Sequence, residues 1–255
     1  MDEHAPVPSP EATCDTLLDG RLVFWQGARG YRAGLDAALL AAACDAPAGA
    51  RVLEVGCGAG GALLAAAWRR PETRFTGLER DRVPLLLARR NIAENGLSER
   101  VEAVEGDVAR GFKVLGLAPF DAAMANPPFF DDPATLRTPS PEKRGAWMAE
   151  DGLAAWCDFL MRAVRDGGRV TVIHRADRLA DLLMGLGARG GSFQVRPIHA
   201  FPDAPAKRVL IRAVRLGKAP LLVLPPLVLH QRDGAAKHTS EAEAILRGTA
   251  AIAWR

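Results

Sequence analysis

The segment RVLEVGCGAGG, residues 51–61, decides the fold of this chain. Its first half, Arg51–Val55, is typical of a short buried strand, and residues 62–70 favour a helix. A strand, a glycine-rich loop and a helix in this order form the first unit of a nucleotide-binding α/β fold. The glycines matter because a backbone without Cβ atoms lets a ligand approach closely.

The acidic residue in this segment narrows the choice of ligand. Glu54 precedes three glycines at alternate positions, Gly56, Gly58 and Gly60. A carboxylate at the end of a strand repels a pyrophosphate but attracts the ammonium group of an amino acid. The pattern therefore favours S-adenosylmethionine over a dinucleotide. The loop lacks the Gly-Lys-Ser/Thr ending of a P-loop, which argues against ATP.

Two more predicted strands end in acidic residues. The strand over residues 74–78 ends before Glu79, about 20 residues after the glycine loop, where such folds place an acid on the ribose hydroxyls. Asp81 is the alternative for this role. A third strand over residues 101–104 is followed by Asp107, which we expect to accept a hydrogen bond from an adenine amino group.

A second informative segment is NPPFF, residues 126–130, which follows the apolar stretch Phe120–Ala125. The Asn side-chain oxygen and the next carbonyl can accept hydrogen bonds from both N–H groups of one planar NH2. The aromatic after the prolines can stack on the ring that carries this NH2 group. The alternative is a proline-stiffened turn with two buried Phe side chains. The candidate catalytic and substrate-binding residues here are Asn126, Pro127, Pro128, Phe129 and Phe130.

The chemistry of a planar NH2 group explains why such a turn is needed. The amine is a poor nucleophile because its lone pair is delocalised into the ring. Two acceptors draw both N–H groups out of conjugation, and the lone pair can then point at the methyl donor. In-line transfer depends on alignment and proximity more than on a base. A target base in a helix must first leave its stack, and stacking on Phe129 would offset that cost.

These motifs resemble those of the class I S-adenosylmethionine-dependent methyltransferases. The Asn-Pro-Pro-aromatic turn resembles that of the members that methylate a planar nitrogen. The segment QGARGYRAGLDAALL, residues 26–40, resembles the N-terminal signature of the tRNA-Val adenine-37 N6-methyltransferase family. HTSEAEAILRG, residues 238–248, resembles the C-terminus of that family. The resemblance extends over residues 17–247.

The resemblance implies a fold, a cofactor and a substrate. The fold is Rossmann-like, with a mostly parallel twisted sheet and a C-terminal antiparallel hairpin. The cofactor is S-adenosylmethionine, and Asn126 also contacts it. The N-terminal signature covers its methionine end, which makes Gln26, Arg32 and Asp36 cofactor-binding candidates. The substrate is the N6 amine of an adenine in RNA, with tRNA the expected partner. Phe129 stands where related enzymes commonly have Tyr, so ring stacking is retained and a hydroxyl contact is lost.

Three alternatives stay open. Methyltransferases of a release-factor glutamine use the same turn but usually carry an N-terminal helical domain. Guanine-N2 rRNA methyltransferases commonly carry a duplicated domain. Only about 50 residues precede the glycine loop here, too few for either domain. A non-catalytic RNA-binding module is the third alternative, and the intact motif residues argue against it.

Composition predicts a single methyltransferase domain over residues 16–255. A chain of 255 residues that is 49% hydrophobic can bury a full core. Residues 1–15 are expected to form a disordered tail, because the first ten are acidic and rich in proline. Alternating strand and helix patterns predict a parallel sheet covered on both faces. Residues 209–216 and 221–229 are the candidates for the hairpin.

Charge and cysteine content bear on partners and location. A net charge of +3 is below the strong footprint of a dedicated RNA binder. We expect the segment 130–147, with its basic residues, to gate the substrate site, because long aperiodic loops are often functional. Five other basic residues near the C-terminal strands are expected to flank the substrate mouth: Arg196, Lys207, Arg208, Arg212 and Arg215. Of these, Lys207 and Arg208 are the substrate-binding candidates.

No membrane partner, secretory leader or metal is expected. No apolar run of about 20 residues is present, and the first residues do not form a leader. Four scattered cysteines have no metal-ligand spacing, and they indicate reduced thiols in a cytoplasmic protein. The histidines form no recognisable zinc or triad pattern and are interpreted as structural or surface residues.

Overall fold

The structure is a computed structural model that describes residues 12–28, 32–129, 150–232 and 236–254. Its strands are β1 Ala12–Leu17, β2 Leu22–Gly27, β3 Arg51–Val55, β4 Arg74–Glu79, β5 Val101–Glu105, β6 Phe120–Ala125, β7 Val164–Arg175, β8 Gly190–His199, β9 Ala206–Arg215, β10 Leu222–Val223 and β11 Leu227–Val228. Its α-helices are α1 Leu35–Ala43, α2 Gly61–Arg69, α3 Arg82–Glu94, α4 Glu150–Ala163, α5 Leu179–Gly187 and α6 Ser240–Leu246.

A nine-stranded sheet organises the described part of the chain. Its order is β10-β8-β9-β7-β6-β3-β4-β5, with β11 also pairing with β8. The strands from β5 to β7 pair in parallel, whereas β9 runs antiparallel to both β7 and β8. The predicted fold class, a mostly parallel sheet with a C-terminal antiparallel hairpin, is therefore confirmed.

The strands of this hairpin differ from the predicted pair. Residues 209–216 do lie mostly in β9, but the partner of β9 is β8. Residues 221–229 instead form two short strands that run parallel to β8. Pro225 and Pro226 interrupt this segment, and because proline has no backbone N–H, it cannot continue a ladder of hydrogen bonds.

Each face of the sheet carries its own apolar core. Val52 packs with the helices α1 and α2, while its neighbour Leu53 packs on the opposite face with α4 and α5. This division follows from the alternation of side chains along a strand. The predicted helices on both faces are therefore present. None of the described helices has the length and apolar character needed to cross a membrane.

The N-terminal prediction is wrong for residues 12–15. These residues belong to β1, which pairs with β2 over its full length in an antiparallel hairpin. Strand β1 buries little of its own surface, so it is held by backbone pairing that the composition of the tail did not reveal. Residues 1–11 of the predicted tail lie outside the described residues.

The topology brings most candidate residues to one edge of the sheet. The carboxyl ends of parallel strands share an edge, and ligands of open α/β sheets bind there. Because β9 runs in the opposite direction, its first residues reach the same edge, and Arg175 at the end of β7 pairs with Arg208. We call this side the carboxyl edge.

Candidate active site

The glycine loop between β3 and α2 depends on left-handed backbone conformations. Gly56, Gly58 and Gly60 have φ angles of +70°, +57° and +91°, which favour glycine. A Cβ atom at Gly56 would lie 2.4 Å from the ring of Trp156. A Cβ atom at Gly58 would meet no atom within 4 Å in the described part of the chain. Packing therefore requires Gly56, whereas Gly58 faces open space that suits a ligand.

The carboxylate of Glu79 lies beside this open space. Its Oε2 accepts a hydrogen bond from the amide of Gly58 at 2.8 Å. Its Oε1 accepts from the amides of Arg80 and Asp81, both at 2.8 Å. The alternative acid, Asp81, has a side chain that is 53% exposed and lies 3.6 Å from the Arg80 guanidinium. Glu79 is thus the acid fixed against the loop, and ribose binding by Glu79 stays a prediction.

Asp107 follows β5 at the same edge. Its Oδ1 accepts a hydrogen bond from the amide of Ala109 at 2.9 Å and so caps a short 3-10 turn, Val108–Arg110. A Cβ atom on the preceding residue, Gly106, would lie 2.4 Å from Leu78. The close packing fixes the position of Asp107, and its contact with an adenine stays a prediction.

Glu54 is a buried acid next to the glycine loop. The residue is 4% exposed, and its Oε2 has no hydrogen-bond partner among the described residues. Burial, followed by repulsion from Glu79, raises the pKa of Glu54 well above its usual value, and the amide of Leu63 opposes this shift. A buried carboxylate oxygen without a partner is costly unless a ligand supplies a donor.

These groups together fit S-adenosylmethionine. Its amino-acid part carries an ammonium group that could satisfy Glu54. Its ribose carries two hydroxyls that suit Glu79, and the open space at Gly58 leaves room for the chain between them.

The Asn126 turn lies next to the glycine loop. Val55 and Ala125 are paired residues of β3 and β6, so Gly56 and Asn126 leave the sheet side by side. Asn126 is partly buried, and Phe129 is partly exposed. The turn therefore lies beside the glycine loop, and its role in methyl transfer stays a prediction. Phe130 and the predicted gating segment 130–147 lie outside the described residues.

Phe129 is enclosed by residues from distant parts of the chain. The ring of His174, from β7, meets the ring of Phe129 edge to face, with centroids 5.1 Å apart. The guanidinium of Arg208, from β9, lies over the Phe129 ring at 4.8 Å. Arg208 Nε also donates to Asp36 Oδ2, from α1, at 3.0 Å. Arg208 therefore covers the aromatic face that was expected to receive a base.

His174 is the residue of this group that sequence reasoning missed. It is 2% exposed. Burial and the nearby charge of Arg178 lower its pKa to about 4, with the Pro128 carbonyl opposing the shift and Arg175 and Arg208 adding to it. His174 is therefore neutral near pH 7. The available signal was its position at the end of an apolar run in β7.

Hydrogen bonds hold the N-terminal signature together, and close packing places it against the start of α2. Gln26 Oε1 accepts from the amide of Ala33, and Gln26 Nε2 donates to Asp15, each at 2.9 Å. Arg32 also donates to Asp15, at 2.7 Å. A Cβ atom at Gly61 would lie 2.4 Å from the Cβ of Ala33. The signature thus lies against the start of α2, and cofactor binding by Gln26, Arg32 and Asp36 stays a prediction.

The expected basic flank of the substrate mouth is smaller than predicted. Arg196 is buried and donates to the Pro225 carbonyl at 2.8 Å. Arg212 pairs with Asp45, and Arg215 donates to the carbonyls of Met161 and Val164. These three arginines hold the fold together, so the interpretation is wrong for them. The other two basic residues of this group are Lys207, which is exposed, and Arg208. The basic residues predicted in the gating segment lie outside the described residues.

The predicted glycine loop and the predicted acids lie together in the structure. We call this set the glycine-loop region; it comprises Glu54, Gly56, Gly58, Gly60, Glu79 and Asp107. The second set combines the predicted turn with residues from other elements; we call it the substrate edge: Asp36, Asn126, Pro127, Pro128, Phe129, His174 and Arg208.

Comparison with known proteins finds methyltransferases. Residues 32–138 match the family model of the methyltransferase small domain. The tRNA1(Val) (adenine(37)-N6)-methyltransferase of Porphyromonas gingivalis strain ATCC 33277 is 31% identical over 187 residues, which cover 70% of this chain and 72% of that protein. The release factor glutamine methyltransferase of Chlorobaculum tepidum is 30% identical over 203 residues, which cover 76% of this chain and 64% of that protein.

A solved structure gives the same result for the fold. The crystal structure of a predicted O-methyltransferase from Agrobacterium tumefaciens superimposes with a TM-score of 0.71 at 27% sequence identity. The match covers 85% of this chain and 98% of that one.

Proposed function

Because the chain belongs to the class I S-adenosylmethionine-dependent methyltransferases, we propose that it methylates the N6 amine of an adenine in RNA, with tRNA as the substrate class. The observation that carries this proposal is the Asn126 turn, which leaves the sheet beside the glycine loop. We propose a single methyltransferase domain that also includes residues 12–15, because they belong to β1.

The acceptors of the turn determine what the site can do to an amine. When bound, S-adenosylmethionine supplies an electrophilic methyl group on a sulfonium. Asn126 Oδ1 and the Pro127 carbonyl would accept hydrogen bonds from the two N–H groups of the substrate and so orient its nitrogen lone pair for transfer. No general base is assigned, since the product ammonium is strongly acidic and loses its proton after transfer.

The rings around the turn support a planar aromatic substrate. A base that enters the site stacks on Phe129, whose edge is held by His174. The guanidinium of Arg208 already lies over one face of this ring. An incoming base therefore uses the opposite face or displaces Arg208. A neutral His174 adds no second charge against the ring.

The similar proteins support adenine as the substrate, but they also support a second candidate substrate. The tRNA1(Val) (adenine(37)-N6)-methyltransferase of P. gingivalis supports an RNA adenine. The release factor glutamine methyltransferase of C. tepidum favours the alternative, a side-chain amide, which presents the same planar NH2 group. Guanine N2 in rRNA is the third acceptor of this chemical kind.

Methyl transfer from labelled cofactor distinguishes these substrates. Purified enzyme is incubated with labelled S-adenosylmethionine and either total tRNA, rRNA or a release factor. We expect label in tRNA that is recovered as N6-methyladenosine, and labelling that is about 100- to 1000-fold slower with the Asn126→Ala variant. Label confined to a protein glutamine or to guanine would overturn the proposal.

A further inference from the structure

A second group of rings lies on the surface beside the substrate edge. The rings of His230 and His238 stack with centroids 4.9 Å apart and planes at 27°. The ring of Phe201 lies 5.6 Å from that of His230. The guanidinium of Arg232 covers Phe201 at 4.6 Å. The three rings are partly exposed, so they do not serve the apolar core. We call these four residues the ring cluster.

Backbone hydrogen bonds fix the ring cluster in place. The amide of His230 donates to the carbonyl of Ala200 at 2.9 Å, which continues the pairing of β11 with β8. The amide of Thr239 donates to the Leu229 carbonyl, also at 2.9 Å. His230 Nδ1 lies 2.6 Å from the Lys237 carbonyl. A partner would therefore meet rings that are already ordered, which lowers the entropy cost of binding.

The ring cluster lies at the carboxyl edge, in line with the methyl-transfer site. Strands β6, β7, β9, β8 and β11 are successive neighbours. With strands about 4.8 Å apart, the distance from Asn126 to His230 along this edge is roughly 20 Å. Lys207 and Arg208 lie between them at the start of β9. This length corresponds to about five or six stacked nucleotides.

The side chains along the carboxyl edge from the Asn126 turn to the ring cluster suit an unpaired nucleic-acid strand. Aromatic rings that receive bases, together with cations that follow the phosphates, are the two elements of single-strand binding. Lys207 is exposed, and Arg232 shares its charge with Asp203 at 3.0 Å. The histidines do not indicate a metal, because no group of three or more His, Cys, Asp or Glu side chains in the described residues could hold one.

We propose that the ring cluster binds unpaired bases that lie several nucleotides from the target adenine, while Lys207 contacts the backbone between the two sites. This inference rests on the proposed function, since it takes RNA as the substrate. It defines the preferred substrate as an adenine in a loop or other single-stranded segment with unpaired neighbours about five nucleotides away.

Removing bases without removing phosphates tests this inference. Two stem–loop RNAs are compared, one with an intact loop and one in which the loop nucleotides about five positions from the adenine are abasic. Fluorescence anisotropy gives the Kd of each for the wild type and for Phe201→Leu and His230→Ala. We expect these variants to bind the intact loop about 5- to 100-fold more weakly and to bind the abasic loop as the wild type does.

Matched variants separate stacking from charge and from folding. Lys207→Ala should weaken both RNAs equally, whereas Lys218→Ala removes an exposed lysine beyond the other end of β9 and should weaken neither. Arg232→Ala should also weaken binding of the intact loop. Its control is Arg51→Ala, which should not, because Arg51 also covers a Phe ring at 4.6 Å but at the opposite edge. Unchanged affinity for S-adenosylmethionine shows that each variant is folded.

The outcomes distinguish this inference from the proposed function. If the wild type methylates adenine in RNA but Phe201→Leu and His230→Ala bind the intact loop normally, the ring cluster is not a base platform. An equal loss with both RNAs would also overturn it. If the wild type binds neither RNA and labels only a protein glutamine, the proposed function fails and this inference fails with it.

Discussion

In the glycine-loop region, the carboxylate of Glu79 at the end of β4 accepts a hydrogen bond from the amide of Gly58. In the substrate edge, Phe129 is enclosed by His174 and Arg208, which arrive from two other strands. The first region is built from backbone conformation, so its residue types are dictated locally. The second is built from side chains that only the tertiary fold brings together.

This difference determines how each region should respond to mutation. Substitutions in the glycine-loop region are expected to act on cofactor affinity. Substitutions in the substrate edge are expected to act on turnover, on RNA affinity or on the stability of the strand ends. Apart from Asp36, a predicted cofactor-binding residue, they should have little effect on cofactor affinity.

Asn126→Ala should have the largest effect. Loss of one positioned hydrogen-bonding group that acts in the transition state costs about 100- to 1000-fold in rate. We expect turnover to fall by this factor while the Kd for S-adenosylmethionine changes only a few-fold, as measured by single-turnover kinetics and isothermal titration. Asn126→Asp keeps an acceptor oxygen and should retain more activity than Asn126→Ala. Wild-type turnover in the alanine variant would contradict the role of the turn.

His174 should make the substrate edge sensitive to acid. Its folded-state pKa of about 4 lies below the usual 6.5, so the unfolded chain takes up the proton first as pH falls. The contribution of neutral His174 to the free energy of unfolding is fully present above pH 6.5. It is lost as the pH falls from 6.5 to 4, by up to about 3 kcal/mol.

Urea unfolding of the wild type and of His174→Gln across this range measures the effect. The free energy of unfolding of the wild type should fall more steeply on acidification than that of the variant. Parallel curves would show that His174 is not a neutral, buried group.

Glu79→Ala should weaken cofactor binding. Removing the carboxylate leaves polar groups of the ligand and of the loop without a partner, at a cost of about 1–3 kcal/mol. Asp81→Ala is the matched control, because Asp81 is the exposed acid two residues away. Isothermal titration should show a weaker Kd only for the Glu79 variant. An equal loss of cofactor affinity in both variants would show that Glu79 is not the single acid that binds the ribose.

Glu54→Gln should have the smallest effect, and its two readouts should move in opposite directions. The raised pKa of Glu54 means that the ligand-free fold loses stability as pH rises above the usual carboxyl pKa of 4.5. Removing the charge should therefore raise the Tm of the ligand-free protein at pH 7 by about 2–4 °C, the equivalent of about 1 kcal/mol. It should also weaken cofactor binding. A lower Tm would indicate that the buried carboxylate is already satisfied.

The same comparison explains how much of the molecule could be predicted from sequence. Strands β3 and β6 were predicted at their observed residues. The acids Glu79 and Asp107 followed from the predicted strands over residues 74–78 and 101–104, which correspond to β4 and β5. Local rules were sufficient because each of these features is encoded within a few neighbouring residues.

The errors came from contacts between distant residues. The partner of β9 depends on which segment reaches it in space, so β8 was not identified as its hairpin partner. Arg196, Arg212 and Arg215 looked like surface charge, but carbonyl groups and acids elsewhere in the fold bind them. His174 was missed because nothing near it in the chain indicates that it packs against Phe129.

The chemical identity of the methylated nucleoside tests the central claim most directly. Nucleosides of tRNA and rRNA from a deletion strain and its parent are compared by mass spectrometry. We predict that N6-methyladenosine in tRNA is lost on deletion and is restored by the wild-type gene but not by the Asn126→Ala gene. An unchanged level of N6-methyladenosine in tRNA, with or without loss of N2-methylguanosine, would contradict the account.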